Sequence, residues 1–234
     1  MVQSVNPNIE ILEESLVRLG PLAGDVVFLG GCATGLLLTD PAAPPPRVTM
    51  DVDVIVEVGS LAGYYRFCEL LKSRGFVEDT GSEAPICRWI AGRIVLDIMP
   101  TDPEILGFGN IWFARAFEAA QEIHLPSGNK LRLLQAAYFL ATKLEAFDHR
   151  GGGDFLLSRD VEDVVAVLDG RPEIVDEVRE ADAELKIYLG KRFWELLKNQ
   201  SFIDALSGHL PPDAASQARA RLILERLQEL SEIK

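Results

Sequence analysis

The chain has 234 residues, 48% hydrophobic and 25% charged, with a formal net charge of −13 at pH 7. That length forms one large domain or two small ones, with an ordinary soluble composition. The acidic balance excludes broad electrostatic binding to nucleic acid, although a local basic groove on an acidic protein still leaves RNA open as a substrate.

The longest apolar runs are short and broken by glycine or charge, so no membrane span is expected. The first residues, MVQSVNPNIE, lack the basic and apolar regions of a signal peptide. Cys32, Cys68 and Cys87 have no metal-ligand spacing. They read as reduced thiols of a cytoplasmic protein.

In chain order, residues 8–19 carry Ile9, Leu12, Leu16 and Leu19 on one stripe and predict a helix. Val26–Leu29 reads as a buried strand, and residues 32–38 as a helix ended by Thr39-Asp40-Pro41. Ala42–Pro46 is a stiff, proline-rich loop. Met50–Val58 is expected to be a long central strand, with Met50, Val52, Val54, Val56 and Val58 on its core side. A helix follows from Leu61 to Arg74, stopped by Gly75. Ile86–Ile90 and Arg93–Ile98 predict a hairpin turned by Ala-Gly. Ile111–Ala120 predicts a helix, and Gln121–Leu125 with Lys130–Leu133 a second hairpin. Beyond residue 133 the pattern is helical only, over about 134–149, 159–169, 172–206 with breaks, and 212–230. The fold class expected is α/β (α+β): a mixed sheet flanked by helices over 1–133, then a helical domain over 134–234.

Four constellations carry chemistry. The first is Asp51 and Asp53. Residues two apart on a strand leave by the same face, so these carboxylates stand roughly 6–7 Å apart along it. Asp97 lies in the apolar run RIVLDIMP, where an unpaired acid is costly. If its strand neighbours that of Asp51 and Asp53, three carboxylates meet and require divalent cations, of which hard oxygen ligands favour Mg²⁺ or Mn²⁺. The plainer alternative pairs Asp97 with Arg88 or Arg93 across the hairpin.

The second constellation is Gly30-Gly31. Glycines allow a tight turn and a close approach to phosphate, helix N–H groups face that phosphate, and Thr34 adds a hydroxyl in the first turn. The third is Lys143, in the middle of the apolar stripe of Ala136, Phe139, Leu140, Leu144 and Phe147, away from Thr142, Glu145 and His149. Arg150 is rotated from it by only about 20°. Two cations on a core-facing stripe need anions: a phosphate, or local acids. The fourth is Asp160 and Asp163, beside the core stripe of Val161, Val164, Val165 and Leu168. They serve the first helical turn or hold Lys143 and Arg150 in place.

Weaker signals are the Gly151–Gly153 run, a connection or flap, and the histidines, which have no triad or metal spacing. No GxxxxGK[ST] is present, which argues against a P-loop ATPase. Phe193 and Trp194, at helical spacing from Tyr188 and Leu197, read as core.

Taken in order, Gly30-Gly31, Asp51-Val-Asp53, Asp97, Lys143 with six residues before Arg150, and Asp160-Val-Glu-Asp163 span residues 26–165. In this the chain resembles the minimal nucleotidyltransferases of the DNA polymerase β-like superfamily, in particular the AbiEii-like group of type IV toxin–antitoxin systems. The resemblance implies a nucleotidyltransferase fold, Mg²⁺ on the strand acids, nucleotide phosphates on the Gly-Gly segment, the triphosphate on Lys143, and catalytic support from Asp160 and Asp163. It also implies an NTP substrate, an acceptor such as RNA or tRNA, a protein or a small molecule, and a cognate antitoxin protein as partner. Nineteen residues separate Gly31 from Asp51, more than is usual in that family, and Pro44-Pro45-Pro46 reads as a looped-out insertion. Two other readings are a DxD glycosyltransferase, which usually places an α/β region well before its acids, and a non-catalytic relative binding a nucleotide or partner.

Overall fold

The computed structural model describes residues 6–150 and 153–234. The chain divides into two compact units, Met1–Ala33 with Arg47–Gln135, and Thr34–Pro46 with Ala136–Lys234. The division thus falls after Gln135, where residue 133 was expected, and the proline-rich segment groups with the helical unit.

The first unit is built on one seven-stranded mixed sheet of β1 (Val26–Leu29), β2 (Asp51–Val56), β3 (Val77–Glu78), β4 (Arg88–Ala91), β5 (Ile94–Pro100), β6 (Gln121–His124) and β7 (Lys130–Leu133). The order is β3-β4-β5-β2-β1-β7-β6. β2 runs parallel to β5 and β1 parallel to β7, and the other neighbours are antiparallel. Central β1 is buried throughout, as a strand with covered faces must be. Helices α1 (Pro7–Leu19), α3 (Leu61–Ser73) and α4 (Phe113–Glu118) flank the sheet. Asn6 caps α1 through the Asn8 amide, and Ser60 caps α3 through the Gly63 amide. The Tyr64 hydroxyl donates to the Ile98 carbonyl at 3.0 Å and pins α3 to β5. Phe28, Val54, Trp89, Leu96 and Ile98 fill the core.

The expected bounds of the central strand are corrected, and β3 was not expected. Met50 is 61% exposed and Val58 only half-buried, because ladder pairing begins at Asp51 and ends at Val56. β3, a two-residue edge strand on β4, has no period for a sequence to show.

Helix α2 (Gly30–Leu37) starts two residues before the expected 32, directly at the end of β1. The unit boundary falls inside it, after Ala33. From Thr34 onward the chain belongs to the second unit, within which the Thr39 and Asp40 amides donate to the Gly170 carbonyl, both 2.9 Å. Arg171 donates to the Leu37 carbonyl at 2.6 Å, and Arg219 bridges Asp40 and Asp169.

The second unit is helical: α5 (Ala136–Arg150), α6 (Arg159–Gly170), α7 (Ile174–Glu180), α8 (Ala183–Leu197), α9 (Gln200–Ala205), α10 (Ala214–Ala218) and α11 (Ala220–Ser231). Ser158 caps α6 through the Val161 amide, and Asp182 caps α8. α5 packs on α6 and α8, and α11 on α6 and α8, around Phe139, Val164, Leu168, Leu189, Phe193 and Leu227. Trp194 is 49% exposed beneath the Lys198 ammonium, so only its neighbour Phe193 is core. Of the Gly151–Gly153 run, Gly151 and Gly152 lie outside the described residues. Among those residues no helix is long and apolar enough to cross a membrane.

Candidate functional site

Strand register assembles the acids of the first unit. Asp53 stands opposite Asp97 across the parallel β2–β5 pair, and Asp97 stands opposite Arg88 across β4–β5. On the other side of β2, Leu29 stands opposite Asp53. Gly30 follows Leu29, so the start of α2 meets the acidic strand whatever the length of the proline-rich spacer. Gly30 has φ +76°, and a Cβ there would run into the Asp53 carboxylate. Only glycine lets the backbone turn this way so close to the acid. Gly31 is buried in the same first turn. Thr34 is not in the first turn as expected: because α2 begins at Gly30, it falls in the second turn and is fully buried.

The approach to Asp51 is clasped by Asn8, itself 1% exposed. Its side chain donates to the Arg47 carbonyl at 2.9 Å and accepts from the Thr49 amide at 3.0 Å. The Thr49 hydroxyl then donates to the Asp51 carboxylate. Burial alone would raise the Asp51 carboxyl, but that hydrogen bond and the charges of Arg88 and Arg47 hold it below its ordinary value. Sequence reasoning missed Asn8 and Thr49. The Thr-x-Asp spacing is a faint signal for Thr49, whereas Asn8 is 41 residues from its partner Thr49 and gives none.

Asp97 is held by Arg88. The guanidinium grips it in a fork, Nε to Oδ1 at 2.8 Å and Nη2 to Oδ2 at 2.7 Å, and Nη2 also reaches within 3.9 Å of Asp51 Oδ2. The Asp97 side chain is 11% exposed. The plainer alternative for Asp97 is thus the observed one, with Arg88 rather than Arg93, whose guanidinium pairs with Glu14. Among the described residues no three His, Cys, Asp or Glu side chains converge as a ready metal shell. The expected ligands Asp51, Asp53 and Asp97 are adjacent in register, and Arg88 offsets one of the three negative charges that a cation was expected to balance. The donors still suit a hard divalent ion: Asp51 and Asp53 offer carboxylate oxygens from one strand face, beside a glycine turn.

Neighbouring Cys87 is enclosed; burial first, then the Asp97 charge, pushes its thiol up to about 12. Burial likewise pushes Cys68 up to about 11. Cys32, Cys68 and Cys87 are all free and buried.

In the helical unit, α5 and α6 bring Lys143, Arg150, Asp160 and Asp163 together. Lys143 Nζ lies 2.6 Å from Asp163 and 3.1 Å from Asp160, with the Lys143 side chain 11% and that of Asp163 1% exposed. Arg150 reaches Asp160 at 3.4 Å, but its side chain is 71% exposed. The expectation of two core-facing cations therefore holds for Lys143 alone, since the buried stripe ends at Phe147 and Arg150 closes the helix. Thr142, assigned to the wet face, is buried and bonds back to the Phe139 carbonyl at 2.9 Å. Local acids thus satisfy the ammonium of Lys143.

The fold and site define a protein with a mixed, helix-flanked sheet carrying an acidic strand beside a glycine turn, followed by a helical unit. Solved structures similar to it include two from Helicobacter pylori. JHP933 from Helicobacter pylori superposes with a TM-score of 0.47 at 13% identity, over 96% of this chain and 91% of that one. A "putative nucleotidyltransferase" from H. pylori superposes with a TM-score of 0.43 at 13% identity, over 96% of this chain and 94% of that one. No protein-family model matches the chain. No curated protein matches it.

Proposed function

We propose that the chain is a Mg²⁺- or Mn²⁺-dependent nucleotidyltransferase. It moves an NMP from an NTP to an acceptor hydroxyl and releases pyrophosphate. The observation that carries this is the register of β1, β2 and β5, which sets Gly30, Asp53 and Asp97 side by side with Asp51 on the same strand face. Asp51 and Asp53 would hold the ion, and Asp97 is the candidate third ligand or general base. When bound, such an ion supplies charge stabilisation for the departing pyrophosphate and lowers the pKa of the attacking hydroxyl. The Thr49 hydrogen bond, with the charges of Arg88 and Arg47, holds the Asp51 carboxyl below its ordinary value against burial, and Thr49 orients it for that task. The N–H groups that open α2 at Gly30 and Gly31 face phosphate in this reading. In the helical unit, as the resemblance implies, we assign Lys143 to a phosphate, with Arg150 as a second cation and Asp160 and Asp163 orienting both.

The resemblance to AbiEii-like toxins extends the proposal to an RNA or tRNA acceptor and to a cognate antitoxin as partner, in a cytoplasmic setting. Incubation with labelled NTPs, Mg²⁺ and total RNA tests it. Label should pass to an acceptor with wild type and fall at least about a hundredfold with Asp51→Ala, the scale of losing a principal electrostatic stabiliser. No transfer by wild type, or undiminished transfer by Asp51→Ala, refutes the proposal.

One observation favours a second reading. The fork between Arg88 and Asp97 leaves that carboxylate already neutralised, as in a relative that binds a nucleotide or a partner without catalysis. Calorimetry showing no Mg²⁺-dependent nucleotide binding, together with no transfer, would select it.

A further inference from the structure

The fork on Asp97 has an unusual neighbour. Arg88 is not confined to its cross-strand partner, because Nη2 also leans toward Asp51, a residue on the next strand but one. One guanidinium therefore faces two of the three carboxylates assigned above to cation binding. A cation tethered by its own side chain and a diffusible divalent ion compete for the same oxygens. Arg88 has somewhere to go: its side chain is 27% exposed, whereas that of Asp97 is 11% exposed.

We propose that Arg88 is a built-in counterion that competes with the divalent cation for Asp97, so that loading of the strand acids requires the guanidinium to leave. This rests on the metal-dependent reading of Asp51 and Asp53. Without a competing cation, Arg88 reduces the repulsion between Asp97 and Asp51. Once Arg88 lets go, Asp97 becomes available as a third carboxylate, and the released guanidinium remains beside the site as a cation for phosphate. The arrangement sets a threshold: the acids take up a cation only at an activity high enough to displace Arg88.

The test is calorimetric titration of Mn²⁺, with electron paramagnetic resonance of free Mn²⁺ as a second readout. It compares wild type, Arg88→Gln, Arg88→Lys and Asp51→Asn. Arg88→Gln should bind Mn²⁺ about ten- to hundredfold more tightly than wild type, the scale of charge-assisted hydrogen bonds no longer displaced. Arg88→Lys, which keeps the charge but not the fork, should fall between. Asp51→Asn should weaken binding. Equal or weaker Mn²⁺ binding by Arg88→Gln, together with a loss in Asp51→Asn, refutes the counterion role and leaves the metal-dependent reading standing. If no protein of the set binds Mn²⁺, both fall. If Arg88→Gln does not fold by circular dichroism, Arg88→Lys decides: binding several-fold tighter than wild type supports the role, and unchanged binding refutes it.

Discussion

Replacing Lys143 by Met keeps an unbranched side chain, shorter by one heavy atom, and removes its charge. In the folded chain the ammonium lies 2.6 Å from Asp163 and 3.1 Å from Asp160. Asp163 is 1% exposed, so its carboxylate would stay buried with its main cationic partner gone. Breaking such a pair from one side costs about 3–5 kcal/mol. The lower end applies here, because Asp163 has a further interaction and Asp160 retains Arg150. A loss of about 3 kcal/mol lowers Tm by roughly 10 °C for a unit of this size. Urea unfolding followed by circular dichroism measures it. Lys143→Met/Asp163→Asn, which removes both charges, should recover about 2 kcal/mol of the loss, a coupling that only direct neighbours show. A loss under about 1 kcal/mol, or a double variant no more stable than Lys143→Met, would refute the structural account of Lys143. Activity lost in a Lys143 variant therefore counts as catalytic only at temperatures where that variant remains folded.

Gly30→Ala should destabilise the first unit by more than about 2 kcal/mol, since a positive φ is strained for alanine and the new Cβ meets Asp53; wild-type urea stability would contradict the close approach. Burial raises the thiols of Cys68 and Cys87, to about 11 and about 12, so the native chain should resist thiol reagents at pH 8 and react on unfolding. The sign for stability follows. The unfolded thiols lose their protons first, so this contribution is complete below about pH 8.5 and fades as pH rises toward the folded values. Rapid labelling of native Cys87 at pH 8, or stability rising between pH 9 and 11, would contradict the enclosed thiol.

Much of the architecture was legible in one dimension. The Asp51-Val-Asp53 alternation on a strand, the apolar stripe of α5 around Lys143, the core stripe of α6 and the switch to helices in the C-terminal half follow from periods of 2 and 3.6 residues. The partner of a buried charge is harder to read, because a sequence shows the need for a counterion but not its source. Asp97 had two candidate arginines in the sequence. Register chose Arg88, placed opposite it on β4, while Arg93 lies in the turn and reaches Glu14.

Local pattern by itself thus determined the acidic strand face, the helix carrying Lys143 and the two-part character of the chain, because each depends on residues a few positions apart. Tertiary structure alone decided that Gly30 lies against Asp53 across the 19-residue spacer. It also decided that Asn8 clasps the approach to Asp51, that residues 34–46 belong with the helical unit, and that Thr34 is buried. The physical reason is common to all four: strand pairing and long-range hydrogen bonds join residues far apart in the chain, and no local period records which pairs will meet.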